Sequence, residues 1–230
     1  MDTHHFQQQR QQQQQQQQQQ DVVNEEGEAM YSAPSTTTAS ETAPAAVVLP
    51  MDGFHYSRSQ LKAMGEESTN NNTAFTYDEL LARRGAPWTF DANGCIDAFT
   101  LARINGYANL PIYCRKQSDP ISHGVQLYPQ TKIVLLEGNY LLCYKDVRWK
   151  SLQTNQIFDE TWYITCNSIS IQRERLIQRH LETWTNEKSI MFGEGEVGAG
   201  IKADQNDMKN LLWIEEMGSR MYADYIIESI

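Results

Sequence analysis

A chain of 230 residues with 40% apolar side chains and five tryptophans can bury one sizeable core, and its formal net charge of −10 argues against duplex nucleic acid as a partner. The four cysteines, Cys95, Cys114, Cys143 and Cys166, form no C-x-x-C pair, which argues against a zinc knuckle or a disulfide framework and fits reduced thiols. No apolar run reaches the length of a membrane span, and the N-terminus has neither the basic nor the apolar part of a signal peptide, so a soluble, cytoplasmic protein without a membrane partner is expected.

In chain order, residues 1–46 come first. The tract QQQRQQQQQQQQQQ and the Ser-, Thr- and Ala-rich stretch after it hold few groups able to offset the entropy of ordering the chain. A disordered tail over 1–46 and one domain over 47–230 are expected. Half of the net charge belongs to the tail, whose six acids face Arg10 alone.

Four apolar runs read as strands: AVVLPM (46–51), KIVLLE (132–137), TWYITC (161–166) and DYIIES (224–229). They are β-branched and aromatic without clean alternation, which predicts a parallel sheet covered on both faces. Helical patterns lie between them: TYDELLARRG (76–85), DAFTLARINGYA (97–108) and SISIQRERLIQRHLETW (168–184). Strands alternating with helices predict an α/β domain with helices on both faces of the sheet. GEGEVGAGIK (193–202) is glycine-rich but lacks a Lys-Ser/Thr ending, so a flexible loop is expected and not a phosphate cradle.

In parallel sheets the ligand crevice lies beyond the carboxyl ends of the strands. Two runs end there in an acid followed by glycine, Asp52-Gly53 and Glu137-Gly138. Such a pair can share Mg2+ through water, and one member can orient or take the proton of an attacking hydroxyl. Each acid could equally cap its own loop. In ARRGAPWTFD (82–91), Arg83 and Arg84 suit an anionic or polyhydroxyl substrate, or simply meet a helix C-terminus. In RERLIQRHL (173–181), Arg175 and Arg179 stand four apart on one helix face, able to close over phosphate or to form a charged outer face. ADQNDMKN (203–210) fits a polar loop near a nucleotide base, or an N-cap at Asn206 or Asp207.

Together, VVLPMDGFHY, RRGAPWTFD, the DP at 119–120, IVLLEGNYLL, RERLIQRHL and QNDMKN resemble, in order and spacing, the P-loop kinases of the uridine kinase, phosphoribulokinase and pantothenate kinase-like family. The similarity runs over about residues 46–230. It implies ATP-dependent phosphoryl transfer to a hydroxyl of a small metabolite, with ATP and Mg2+ as cofactors. By position it implies Asp52 as the acceptor-site acid near the metal and Glu137 as the magnesium-side acid. It further implies Arg175 and Arg179 in a lid over the phosphates, with Asn206 and Asp207 toward the nucleotide. His55, Tyr56, Arg83 and Arg84 fall in the acceptor-site segments. Two departures stand out. The family's G-x-x-x-x-G-K-[ST] cradle does not occur in residues 1–50, and Tyr113-Cys114 replaces a polar acid-histidine pair. The family's sheet of order 2-3-1-4-5 is thus expected without its central first strand, leaving the neighbouring strands with unpaired edges. A start inside the linker before the second strand would explain this. So would a shortened, catalytically dead descendant whose glutamine tract recruits protein partners.

Overall fold

The computed structural model describes residues 43–70, 75–166 and 168–229, within a compact unit Ala43–Ile230. Nearly all of the expected 1–46 tail lies outside the described residues. The strands appear where the apolar runs place them: β1 (Ala46–Pro50), β4 (Ile133–Glu137), β5 (Trp162–Cys166) and β6 (Tyr225–Ser229). β1 pairs in parallel with β4, Val48 opposite Leu135 and Pro50 opposite Glu137, and β5 pairs in parallel with β6.

The helices follow local rules. After α1 (Arg58–Asn70), α2 (Tyr77–Ala82) opens with a capping box. The Thr76 hydroxyl accepts from the Glu79 N–H, and the Glu79 carboxylate accepts from the Thr76 N–H at 2.8 Å. In α3 (Ala92–Asn105), the Asp91 carboxylate accepts from the Gly94 N–H at 2.9 Å, and the helix stops at Gly106 with φ 71°. The remaining helices are α4 (Ser151–Thr154), α5 (Ile169–Glu182), α6 (Asn186–Phe192), α7 (Gly195–Lys202) and α8 (Met208–Met217).

Three expectations need correction, and one element was not expected. Residues 108–127 hold an antiparallel hairpin, β2 (Ala108–Cys114) and β3 (Asp119–Leu127), turned by Ser118 at φ 51°. The parallel pairing among the described residues falls into two separate two-stranded sheets, as expected for an order 2-3-1-4-5 without its first strand. These strands are not covered on both faces, since Leu135 is 48% and Ile164 68% exposed. The glycine-rich run 195–202 is helical because its small residues pack closely: a Cβ on Gly198 would lie 1.9 Å from the Gly193 carbonyl oxygen and 2.9 Å from the Trp184 ring. Finally, Ala203–Asp207 is a π-helical turn continuous with α8, with Asp207 in helical geometry, so neither Asn206 nor Asp207 caps a helix.

The main core forms where β1 and the turn after it meet α3 and residues 140–157. Leu49, Met51, Phe99, Tyr140 and Trp149 are essentially inaccessible. Phe90 meets Tyr140 and Trp149 edge to face at 5.4 and 6.2 Å, a geometry that adds to the burial of three large rings. This packing fixes the end of β1, and with it the turn that carries Asp52.

Candidate active site

Asp52 sits in a 3-10 turn, Met51–Phe54, directly after β1. Because Pro50 lies opposite Glu137, the two strands deliver both carboxyl groups to the same end of the pair. Burial and then the Asp52 charge push the Glu137 carboxyl above the ordinary carboxylate range, while Arg115 pulls it down. Gly53 is required where the turn meets β2, since a Cβ there would lie 2.0 Å from the Pro111 carbonyl oxygen.

One wall beside Asp52 is aromatic. The His55 ring lies 3.9 Å from Phe90 and 4.9 Å from Tyr113, centre to centre, and its Nδ1–H donates to the Asp52 carbonyl oxygen at 2.7 Å. Burial lowers the His55 pKa, so the imidazole is neutral near pH 7. Burial likewise raises the Tyr113 phenol, which feels Arg84, Asp119, Arg58 and Asp52 and keeps its proton. Tyr113 is therefore a hydroxyl donor within reach of the Asp52 field, contributed by the hairpin that the sequence patterns did not reveal.

The two arginines of the RRG segment are engaged inside the protein. Arg84 donates to the Tyr56 carbonyl oxygen at 2.7 Å, to Asp119 Oδ1 at 2.6 Å and to the Ser118 carbonyl oxygen, and its guanidinium lies 5.3 Å from the centre of the Tyr113 ring. Asp119 also accepts from the Arg58 N–H at 2.9 Å, so Arg84 and Asp119 tie the hairpin to the start of α1. Arg83 donates to the Gln205 carbonyl oxygen at 2.7 Å, to Asn206 Oδ1 at 3.0 Å and to Asn210 Oδ1 at 2.9 Å. Asn206, 3% exposed, returns a bond from Nδ2 to the Arg84 carbonyl oxygen at 3.0 Å. Asp207 pairs with His180 at 2.7 Å. Asn206 and Asp207 are thus brought to the RRG side of the site, but their polar groups are already partnered. Tyr56 lies at the same edge, its N–H donating to the Thr89 carbonyl oxygen at 2.9 Å.

The two arginines of RERLIQRHL part company. Arg175 donates to Ser229 Oγ at 3.0 Å, at the end of β6, whereas Arg179 lies in the electrostatic neighbourhood of Lys202 and Asp207. The DP pair, whose Asp119 binds Arg84, and Tyr113-Cys114 gave the signals for the hairpin side.

Among the described residues no group of three or more His, Cys, Asp or Glu could hold a metal ion. A carboxylate pair nevertheless fits Mg2+, which takes one or two carboxylates and completes its shell with substrate phosphates and water. Neither carboxylate is in an ion pair among the described residues, which leaves Asp52 and Glu137 available to it.

No family model matches the chain. The ATP-dependent kinase-like protein notR′ of Aspergillus versicolor is 30% identical over 174 residues, which cover 73% of this chain and 92% of that one. The chain belongs to this P-loop kinase family. A Schizosaccharomyces pombe protein with a provisional uridine kinase name is 29% identical over 174 residues, and this P-loop kinase spans 64% of its length. A crystal structure of a provisionally assigned fructose transport system kinase from Silicibacter sp. TM1040 superposes with a TM-score of 0.60 at 26% identity, covering 79% of this chain and 74% of that one. The mixed α/β fold is therefore shared with P-loop kinases. Among the described residues no helix is long and apolar enough to cross a membrane.

Proposed function

We propose that this P-loop kinase transfers the γ-phosphoryl group of ATP to a hydroxyl of a small metabolite. The observation that carries the reading is the placement of Asp52 and Glu137 at matching ends of a parallel strand pair, close enough for one charge to move the titration of the other. No hydrogen bond to the Asp52 carboxylate is found among the described residues, so its oxygens are free to take or orient the acceptor proton. Neutral His55, Phe90 and Tyr113 form the wall against which an acceptor would lie, and Tyr113 offers it a hydroxyl donor. Arg83 and Arg84 act by fixing that wall and the turn beneath it, Tyr56 borders it, and Arg179 is the lid cation on the phosphate side, with Arg175 farther out. Asn206 and Asp207 hold the nucleotide-side turn in shape. Glu137, with Asp52, would hold Mg2+, which when bound neutralises charge on the transferring phosphate.

The G-x-x-x-x-G-K-[ST] cradle does not occur in residues 1–230. ADP release from ATP is expected to require both Mg2+ and a hydroxyl acceptor. In Glu137→Gln the Mg2+ concentration for half-maximal rate should rise roughly tenfold. An unchanged Mg2+ requirement would remove Glu137 from the metal side. The exposed apolar residues of β4 and β5 favour a second reading, a catalytically silent scaffold that binds protein partners, and for it ADP release is absent under every condition.

A further inference from the structure

The outer face of the β2–β3 hairpin carries a constellation that phosphoryl transfer does not use. Leu110 and Leu127 are 4% and 5% exposed and mark the core side, so strand alternation turns Asn109 and Gln126, directly opposite each other, to the outside. Tyr107 and Tyr128, one residue beyond each arm, continue the same alternation. Two phenol rings thus stand beside two carboxamides, and these four residues with Pro129 line a cavity of about 330 Å³, within the range of ligand pockets. The cavity lies where the two arms part, just before β4 begins, whereas the Asp52 turn meets β2 at Pro111 and Glu137 ends β4.

The chemistry of this cavity differs from that of the Asp52 end. No side chain lining it is charged, so neither a phosphate nor an acidic or basic peptide finds a counter-charge there. The Tyr128 hydroxyl donates to Gln126 Oε1 at 2.7 Å, which occupies the acceptor of that carboxamide and leaves its NH2 group to donate. Among the described residues no hydrogen bond of the Tyr107 hydroxyl or the Asn109 side chain is found. Apolar exposure continues beyond the cavity. Ile104, three residues before Tyr107, is 72% exposed, and Leu101, on the same face of α3, is 56% exposed.

We propose that this face docks a proline-rich segment of another protein in the polyproline II conformation. Such a segment carries apolar rings and no charge, proline has no N–H, and its carbonyl groups make no hydrogen bonds within the helix. It brings rings and acceptors to a neutral surface that offers rings and donors, the match on which aromatic-lined grooves for proline-rich peptides depend. A segment longer than the cavity would also cover Ile104 and Leu101. An extended β-strand would instead pair with an edge of the hairpin and leave this face open. Docking here neither needs nor excludes phosphoryl transfer at the Asp52 end.

Calorimetric titration of the full chain with a blocked nonaproline peptide tests this, with a blocked Gly-Ser peptide of equal length and glucose as comparisons. The proline peptide alone is expected to bind, at submillimolar concentration. Tyr107→Ala and Tyr128→Ala should each weaken that binding by about tenfold or more, as loss of an aromatic anchor does, and Asn109→Ala by less. Tyr107 is 58% exposed, so its replacement leaves the core untouched, and that variant carries the comparison if Tyr128→Ala does not fold. Backbone amide resonances of Ala108, Asn109 and Gln126 should move on titration while those of Gly53 and Gly138, beside Asp52 and Glu137, stay in place. No binding of the proline peptide, equal binding of the Gly-Ser peptide, or binding indifferent to Tyr107→Ala would overturn the proposal. So would glucose binding in place of the peptide, which would assign the cavity to a small polyhydroxyl ligand.

Discussion

Asp52→Asn is expected to lower phosphate transfer by about a hundredfold or more, the range typical for loss of a positioned general base. The substitution keeps the size of the side chain and removes only its charge and basicity. Asp52 follows a strand whose neighbours Leu49 and Met51 are fully buried, so the turn is held by the core and not by the carboxylate. The melting temperature should therefore change little. A second readout separates a chemical role from a structural one. Because the Asp52 charge is one of the causes that raise Glu137, its removal should move the Glu137 titration down toward the ordinary carboxylate range, measurable by carbon NMR. Unchanged turnover, with or without that shift, would take Asp52 out of the mechanism.

Arg84→Met should have the largest effect on stability, a loss of about 3–5 kcal/mol and a fall in melting temperature of roughly 10 °C. The Arg84 side chain is only 9% exposed and that of Asp119 30%, and their 2.6 Å ion pair is reinforced by bonds to two backbone carbonyl oxygens. Methionine would fill the space but leave Asp119 and those oxygens without their main donor in a partly dry setting. The Arg103–Asp159 pair is a built-in comparison, its side chains 49% and 77% exposed. Solvent screens it, and Arg103→Met should leave the melting temperature nearly unchanged. Equal melting temperatures for the two variants would mean that Arg84 does not anchor the hairpin.

The strands and the acids at their ends were legible because local signals carry them. Each apolar run lies within one residue of a strand, and Asp52 and Glu137 stand where the runs stop. The hairpin was not legible: Pro111 and Gly124 interrupt its two arms, the pairing register shifts between Leu110 and Ile112, and its turn uses Ser118 in a left-handed conformation instead of a glycine. Glycines at 195–200 read as flexibility when examined locally, whereas Gly198 is small because Trp184 and the Gly193 carbonyl leave no room. Asn206 and Asp207 carry the polarity of a loop or cap, yet their partners Arg83, Arg84 and His180 lie far away in the chain. The parallel character of β1–β4 and β5–β6 follows from their composition; the exposure of β4, β5 and β6 does not.

The central claim is that the end of β1–β4 supports phosphoryl transfer to a small hydroxyl compound. Its most direct measurement follows the label from γ-labelled ATP, with Mg2+ and the protein, into a library of small hydroxyl compounds. Label in a single chemical class of acceptor, at one ADP formed per product, is the predicted result. Label appearing only as inorganic phosphate, or remaining in ATP across the whole library, would contradict the account.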